Sequence, residues 1–170
     1  ALLGRGDDIV AVVGGLQRDK MLTDLYPYIK ELPVPFSSGA INIEELLKAE
    51  PDIVFVKSST AINKSEIEKL EKFNIPYITV DYKNVKEQIE SIRLIGKALG
   101  EEEKAEAYID YYINTMKYVE EASSKIPEDE VVSLYHSVNE ATRTTNGESL
   151  PVDWLRRVHV KNVAEGKELK

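Results

Sequence analysis

Residues 42–59, NIEELLKAEPDIVFVKSS, limit the fold more than any other stretch, because a helix start, a helix stop, a strand and a strand end follow one another within them. Asn42 suits an N-cap, Glu45 three residues on completes a capping box, and Ile41 staples onto Leu46 across the first turn. Ile43, Leu46 and Leu47 then form one apolar face. Pro51 disfavours helical geometry at Glu50 and ends the run, after which Ile53, Val54, Phe55 and Val56 read as a strand buried on both faces. Lys57, Ser58 and Ser59 emerge at that strand's carboxyl end, where open parallel sheets bind their ligands.

The same grammar recurs on either side. Ile9 to Val13 is an apolar run that ends in Gly14-Gly15, a buried strand followed by a tight loop that lets a backbone come close. Met21, Leu22, Leu25 and Tyr26 suit a short helix closed by Pro27, and Val34 to Phe36 is a strand edge leading into Ser37-Ser38-Gly39. Asn63 caps a second boxed helix with Glu66, Ile62 staples to Ile67, Leu70 and Phe73 continue the face, and Asn74 and Pro76 stop it before the strand Tyr77 to Val80. Asn84 with Glu87 opens a third, with Val85, Ile89, Ile92, Ile95 and Leu99 about a turn apart and Gly100 as left-handed cap. Strand and helix alternate, which predicts a parallel α/β arrangement with right-handed crossovers.

From Glu101 to about Lys125 a stripe of Ala105, Tyr108, Ile109, Tyr112, Met116, Val119 and Ala122 predicts one helix of roughly 37 Å at about 1.5 Å per residue. That length suits a strut between lobes better than a crossover in a small sheet. Ile126-Pro127 breaks it, Val131 to Tyr135 starts a strand, Asn139 to Ser149 is polar and loop-like, and Leu150 to Val158 is a short helix opened by Pro151. The tail Lys161 to Lys170 has almost nothing left to bury. The expected fold class is α/β: a three-layer Rossmann-like parallel-sheet lobe over 1–100, a backbone helix over 101–126 and the start of a second α/β lobe over 127–170.

Composition removes several functions. With 30 acidic and 22 basic residues the net charge is -8, which repels nucleic acid and anionic membrane surfaces. The absence of cysteine excludes disulfides, iron-sulfur clusters, thiolate zinc sites and cysteine nucleophiles. Only His136 and His159 supply imidazole, so no metal site or intrinsic cofactor is expected, and a bound metal would need oxygen ligands or its own chelator. No apolar run approaches the roughly 20 residues that span a bilayer. Nothing resembles a phosphate-binding lysine loop or a nucleophile elbow, so no catalytic residue is named.

The segments GRGDDIVAV, the proline-rich loop into NIEELLKAEPDIVFV, IPYITVD, LIGKALGEEEKAEAY and TTNGESLPVDWLRR…KNVAEG occur in an order that resembles the substrate-binding proteins of ABC importers for iron-siderophore, haem and cobalamin. In that family two α/β lobes are joined by one rigid backbone helix. The resemblance implies an extracytoplasmic receptor that hands a metal chelate to a membrane permease. It also implies a fragment, since a full member has a further strand and helix before Ala1 and most of a second lobe after Lys170. It makes Glu44 the acid that docks on an arginine of the permease; the alternative is a glutamate favoured by the helix dipole.

The resemblance further implies a cleft floor from Gly15 and Leu16, Ser37 and Ser38, and Lys57 to Ser59, faced by Tyr135, His136, Arg143, Thr144 and Thr145 on the second lobe. Lys57 and Arg143 would put positive charge on both walls, suiting an anionic chelate such as a ferric siderophore or ferric citrate. Glu44 and Lys57–Ser59 would then form two surfaces, one at each end of the 42–59 unit. Two other readings stay open: a Rossmann-like nucleotide- or cofactor-binding enzyme fragment built on Gly14-Gly15, and a cell-surface interaction module. A half-cleft is expected to bind weakly and to self-associate through its exposed inner face.

Overall fold

Frequent proline, glycine and asparagine stops keep most elements short. A computed structural model describes residues 2–145 and 147–167, with α1 (Lys20–Leu25), β1 (Phe36–Ser37), β2 (Ala40–Ile41), α2 (Ile43–Lys48), β3 (Val54–Val56), α3 (Ser58–Ala61), α4 (Lys64–Lys72), β4 (Tyr77–Thr79), α5 (Val85–Leu99), α6 (Glu102–Ser123), β5 (Ser133–Leu134), β6 (Ser137–Val138), β7 (Glu140–Thr144), α7 (Leu150–Arg157) and β8 (Lys161–Asn162). Single 3-10 turns lie at Leu16–Arg18, Pro27–Glu31 and Glu128–Glu130. The chain is α/β and divides into two compact units, Ala1–Asp81 and Tyr82–Lys170. Asn146 and residues 168–170, in the expected loop and tail, lie outside the described residues. No helix among the described residues is long and apolar enough to cross a membrane.

The first unit is built on the 42–59 stretch. Asn42 Oδ1 accepts from Glu45 N at 3.2 Å, as expected of the cap, but Asn42 N donates to Pro35 O at 2.8 Å, so the reciprocal arm of the box is not made. Ile41 and Leu46 are buried together with Val54, Val56, Ile67, Leu70 and Ile75 in one cluster, against which Phe36, Ile43, Ala61 and Tyr77 pack. Glu50 takes φ 48°, outside helical geometry, before Pro51. β3 and β4 pair in parallel, Val54 with Tyr77 and Val56 with Thr79.

Several expectations for this unit are corrected. β3 is buried on one face only, since Phe55 is 40% exposed between buried Val54 and Val56. Ile62 is 81% exposed and staples nothing. Asn63 makes no side-chain cap, accepting instead from Ser65 Oγ, and Glu66 turns away from it into the core. There Glu66 Oε2 accepts from Ile41 N at 2.6 Å and from Lys69 Nζ at 2.7 Å, while Lys69 Nζ also donates to Ile41 O at 3.0 Å. The expected strand at 9–13 reduces to one parallel bridge between Val13 and Phe36. Helix α1 is capped by Asp19, which accepts from Leu22 N, and leaves Met21 and Leu25 exposed instead of packed.

In the second unit Asn84 Oδ1 accepts from Glu87 N at 2.9 Å and Gly100, at φ 66°, closes α5 as expected. α5 packs on α6, with Gly96 so close that a Cβ there would lie 2.4 Å from Ala105 Cβ, and Arg93 grips Glu106 through two hydrogen bonds of 2.6 and 3.1 Å. α5 and α6 thus lie together in the second unit. α6 has 22 residues, about 33 Å, with Ala105 and Ile109 buried and Tyr108 stacked on Tyr112. α7 is fastened to both helices: Asp153 Oδ2 accepts from Val85 N, Arg157 donates to Glu120 and Asp153, and Trp154 Nε1 donates to Tyr112 OH at 2.8 Å. Within the stretch expected to be loop, Glu140–Thr144 forms β7, which pairs with β6 as a hairpin, and the tail is not unburied, since β8 pairs in parallel with β5 and Asn162 and Ala164 are buried.

Two outcomes follow from these contacts. Gly96→Ala overpacks the α5–α6 contact and lowers the stability of the full chain in urea unfolding by about 1–3 kcal/mol; an unchanged midpoint refutes the contact. For Glu66, the Lys69 hydrogen bond, helped by Ile41 N–H, holds the carboxyl below its usual range against the opposing effect of burial. Because the folded value is depressed, the stabilisation is complete above the unfolded carboxylate value of about 4.3 and drains as pH falls through the folded one. Glu66→Gln flattens that acid limb, measured as urea midpoint against pH; identical slopes in both proteins contradict it.

Candidate ligand-binding and docking sites

Lys57 is the last extended residue after β3, and Ser58 and Ser59 open α3, so all three lie at the carboxyl end of a parallel pair, as expected. Lys57 is exposed and forms no ion pair among the described residues. The parallel bridge between Val13 and Phe36 runs both segments in one direction, bringing Gly15 and Leu16 to the same end as Ser37 and Ser38. Ser38 (φ 50°) and Gly39 (φ 85°) form the tip of the β1–β2 hairpin, where both central residues need the left-handed region. Gly15 has an ordinary helical φ of -63°, and a Cβ there would meet nothing within 4 Å, so this backbone does not itself require a glycine.

Glu44 sits in the first turn of α2, exposed, with its side chain making no hydrogen bond or ion pair among the described residues. Its position revises the expectation of two surfaces at opposite ends. α4 must run back along β3 for β4 to pair in parallel, so the start of α4 lies at the carboxyl end of β3. The Ile41–Glu66 hydrogen bond fixes the start of α2 beside the start of α4. Glu44 and Lys57–Ser59 consequently share one edge of the unit.

In the second unit, Tyr135 OH donates to Ala141 O at 2.9 Å, Thr144 Oγ1 donates to His136 O at 2.6 Å, and Thr145 Oγ1 lies 3.5 Å from His136 Nδ1. The β6–β7 hairpin thus gathers Tyr135, His136, Thr144 and Thr145. Arg143 does not join Thr144, because successive strand residues point to opposite faces; it is exposed and unpaired among the described residues. Sequence reasoning did not single out Asn162, which is buried, donates to Thr145 O at 3.3 Å and accepts from Ala164 N. Its one signal was an asparagine at the end of a short strand, just before a turn.

Chemically, these edges offer hydroxyls and single cations. No group of three or more His, Asp or Glu suited to a metal ion occurs among the described residues. The turn after Gly14-Gly15 is a 3-10 helix of three residues, too short to present the helix dipole that a bound phosphate uses. A groove of about 520 Å³ on the second unit, lined by apolar Ile89, Ile113 and Met116 and by both cations and acids, among them Arg157 and Glu120, contains none of the expected site residues.

Comparison with known proteins supplies the lineage. An uncharacterised ABC transporter substrate-binding lipoprotein, YvrC of Bacillus subtilis, is 28% identical over 166 residues, covering 95% of this chain and 50% of that protein. The chain therefore spans half the length of this relative. The molybdate-bound periplasmic binding protein MolA of Haemophilus influenzae superposes with a TM-score of 0.83 at 18% identity, covering 98% of this chain and 57% of that one. A possible iron-binding periplasmic solute-binding protein of Staphylococcus epidermidis gives 0.70 at 22% identity, with 95% and 60% coverage. At such identities the superpositions establish the fold alone. A family model described as periplasmic binding protein matches residues 6–169 and, with the lipoprotein relative, bears out the expected extracytoplasmic location. Matched along nearly its whole length, the chain belongs to the periplasmic binding protein family.

Proposed function

We propose that this chain is part of a non-catalytic receptor that captures an anionic iron chelate and delivers it to the permease of an ABC importer. The observation that carries the reading is the strand-end edge of the first unit, where exposed Lys57 stands beside Ser58 and Ser59 without an ion pair among the described residues. A lone cation among hydroxyls suits an anionic ligand that brings its own metal coordination. Arg143 on the β6–β7 hairpin of the second unit is likewise exposed and unpaired among the described residues. The lipoprotein relative supports the transport assignment. Glu44, exposed on the edge that also bears Lys57, has the charge to meet a permease arginine.

The test uses the full-length receptor with ferric citrate as probe. Lys57→Ala weakens capture about tenfold, equivalent to about 1.4 kcal/mol, as read by quenching of tryptophan fluorescence. Glu44→Ala leaves that affinity unchanged while reducing uptake. A Lys57→Ala receptor that binds ferric citrate as tightly as the parent overturns the ligand reading, and nucleotide binding in place of chelate binding favours an enzyme fragment.

A further inference from the structure

The first turn of α4 contains a buried carboxylate that neither the ligand edge nor the docking acid accounts for. Glu66 projects from α4 into the space beside β2, with its side chain 10% exposed, and takes the amide hydrogen of Ile41. Lys69, one turn further along α4, holds the carboxylate and the carbonyl oxygen of the same Ile41. Both polar groups of one residue are thereby engaged by one charged pair. Ile41 is the residue before the Asn42 cap, and its side chain is locked in the core with Leu46. An isolated surface pair at this spacing would contribute little, whereas removing the buried acceptor leaves a backbone N–H without a partner.

We propose that Glu66, with Lys69, is a positioning residue for receptor docking: it clamps Ile41 so that α2 starts at one place relative to α4, holding Glu44 in register with the Lys57–Ser59 edge. α2 has six residues and one side-chain cap, too little to fix its own direction. The clamp supplies the missing constraint from a different helix. Ligand edge and docking acid then move as one body, and a permease that grips Glu44 also grips the strand-end edge. The proposal rests on the docking role assigned to Glu44.

Amide hydrogen exchange on the full-length protein, read by mass spectrometry, tests the clamp. Glu66→Gln, nearly isosteric, and Lys69→Met each raise exchange over 36–48 by about tenfold or more while 85–99 stays as in the parent. Unchanged protection of 36–48 in both variants overturns the proposal. The docking arm uses the cognate permease in proteoliposomes and its receptor-stimulated ATP hydrolysis. Glu66→Gln raises the receptor concentration for half-maximal stimulation severalfold with the maximal rate unchanged, and adding it to Glu44→Ala causes no further loss. Additive losses, or a fall in maximal rate alone, contradict positioning through Glu44. If Glu44→Ala leaves stimulation untouched, the docking reading fails and the positioning role falls with it, while the exchange result still decides whether the clamp exists.

Discussion

The Glu66 carboxylate, held between Lys69 Nζ and the amide of Ile41, adds a polar tie between α4 and the β2–α2 junction, which otherwise meet through the apolar core. β2 is two residues long and α2 six, so neither is stable by itself. Burying an ionised acid is unfavourable unless its hydrogen-bonding capacity is met. Here the partners are an ammonium on the same helix and a backbone N–H that needs an acceptor. Removing one partner exposes the cost of the others, which is why the interaction is cooperative in effect though small in extent. Around it close Ile41, Leu46, Val54, Val56, Ile67, Leu70 and Ile75, and the parallel pair β3–β4 takes its direction from that core.

The second unit uses a different device. Close approach of α5 and α6 at Gly96 and Ala105 fixes the helix pair, and α7 is then sewn on by Asp153, Trp154 and Arg157 reaching Val85, Tyr112 and Glu120. The tyrosines of α6 divide accordingly. Tyr108 and Tyr112 stack in half-buried positions, and burial pushes the Tyr112 phenol up despite the Trp154 hydrogen bond. Tyr111 and Tyr118 face solvent.

Local signals were legible and non-local ones were not. Asn42, Asn84 and Gly100 read correctly as caps because a cap is decided within four residues. Glu66 was misread because the spelling of a capping box is also the spelling of a glutamate one turn into a helix, and only the fold brings Ile41 within reach. Phe55 and Ile62 were expected inside because an apolar run does not say which of its faces a neighbour covers. The β7 strand escaped notice because it is exposed along most of its length and carries no alternation. For the site, the strand end at Lys57 was readable from proline and hydrophobic run alone. The separation of Arg143 from Thr144 was not, since it depends on the strand parity of a hairpin that the sequence hid.

Placing Glu44 and Lys57 on one edge changes how the two proposed roles relate: capture and docking need no long-range signal if one rigid edge serves both. The identity of the ligand is the claim on which this account rests. Native mass spectrometry of the full-length protein purified from its source tests it most directly. The account predicts one adduct with the mass of a ferric chelate, lost together with its iron on unfolding. A nucleotide adduct, or a bare metal ion as the only adduct, would contradict it.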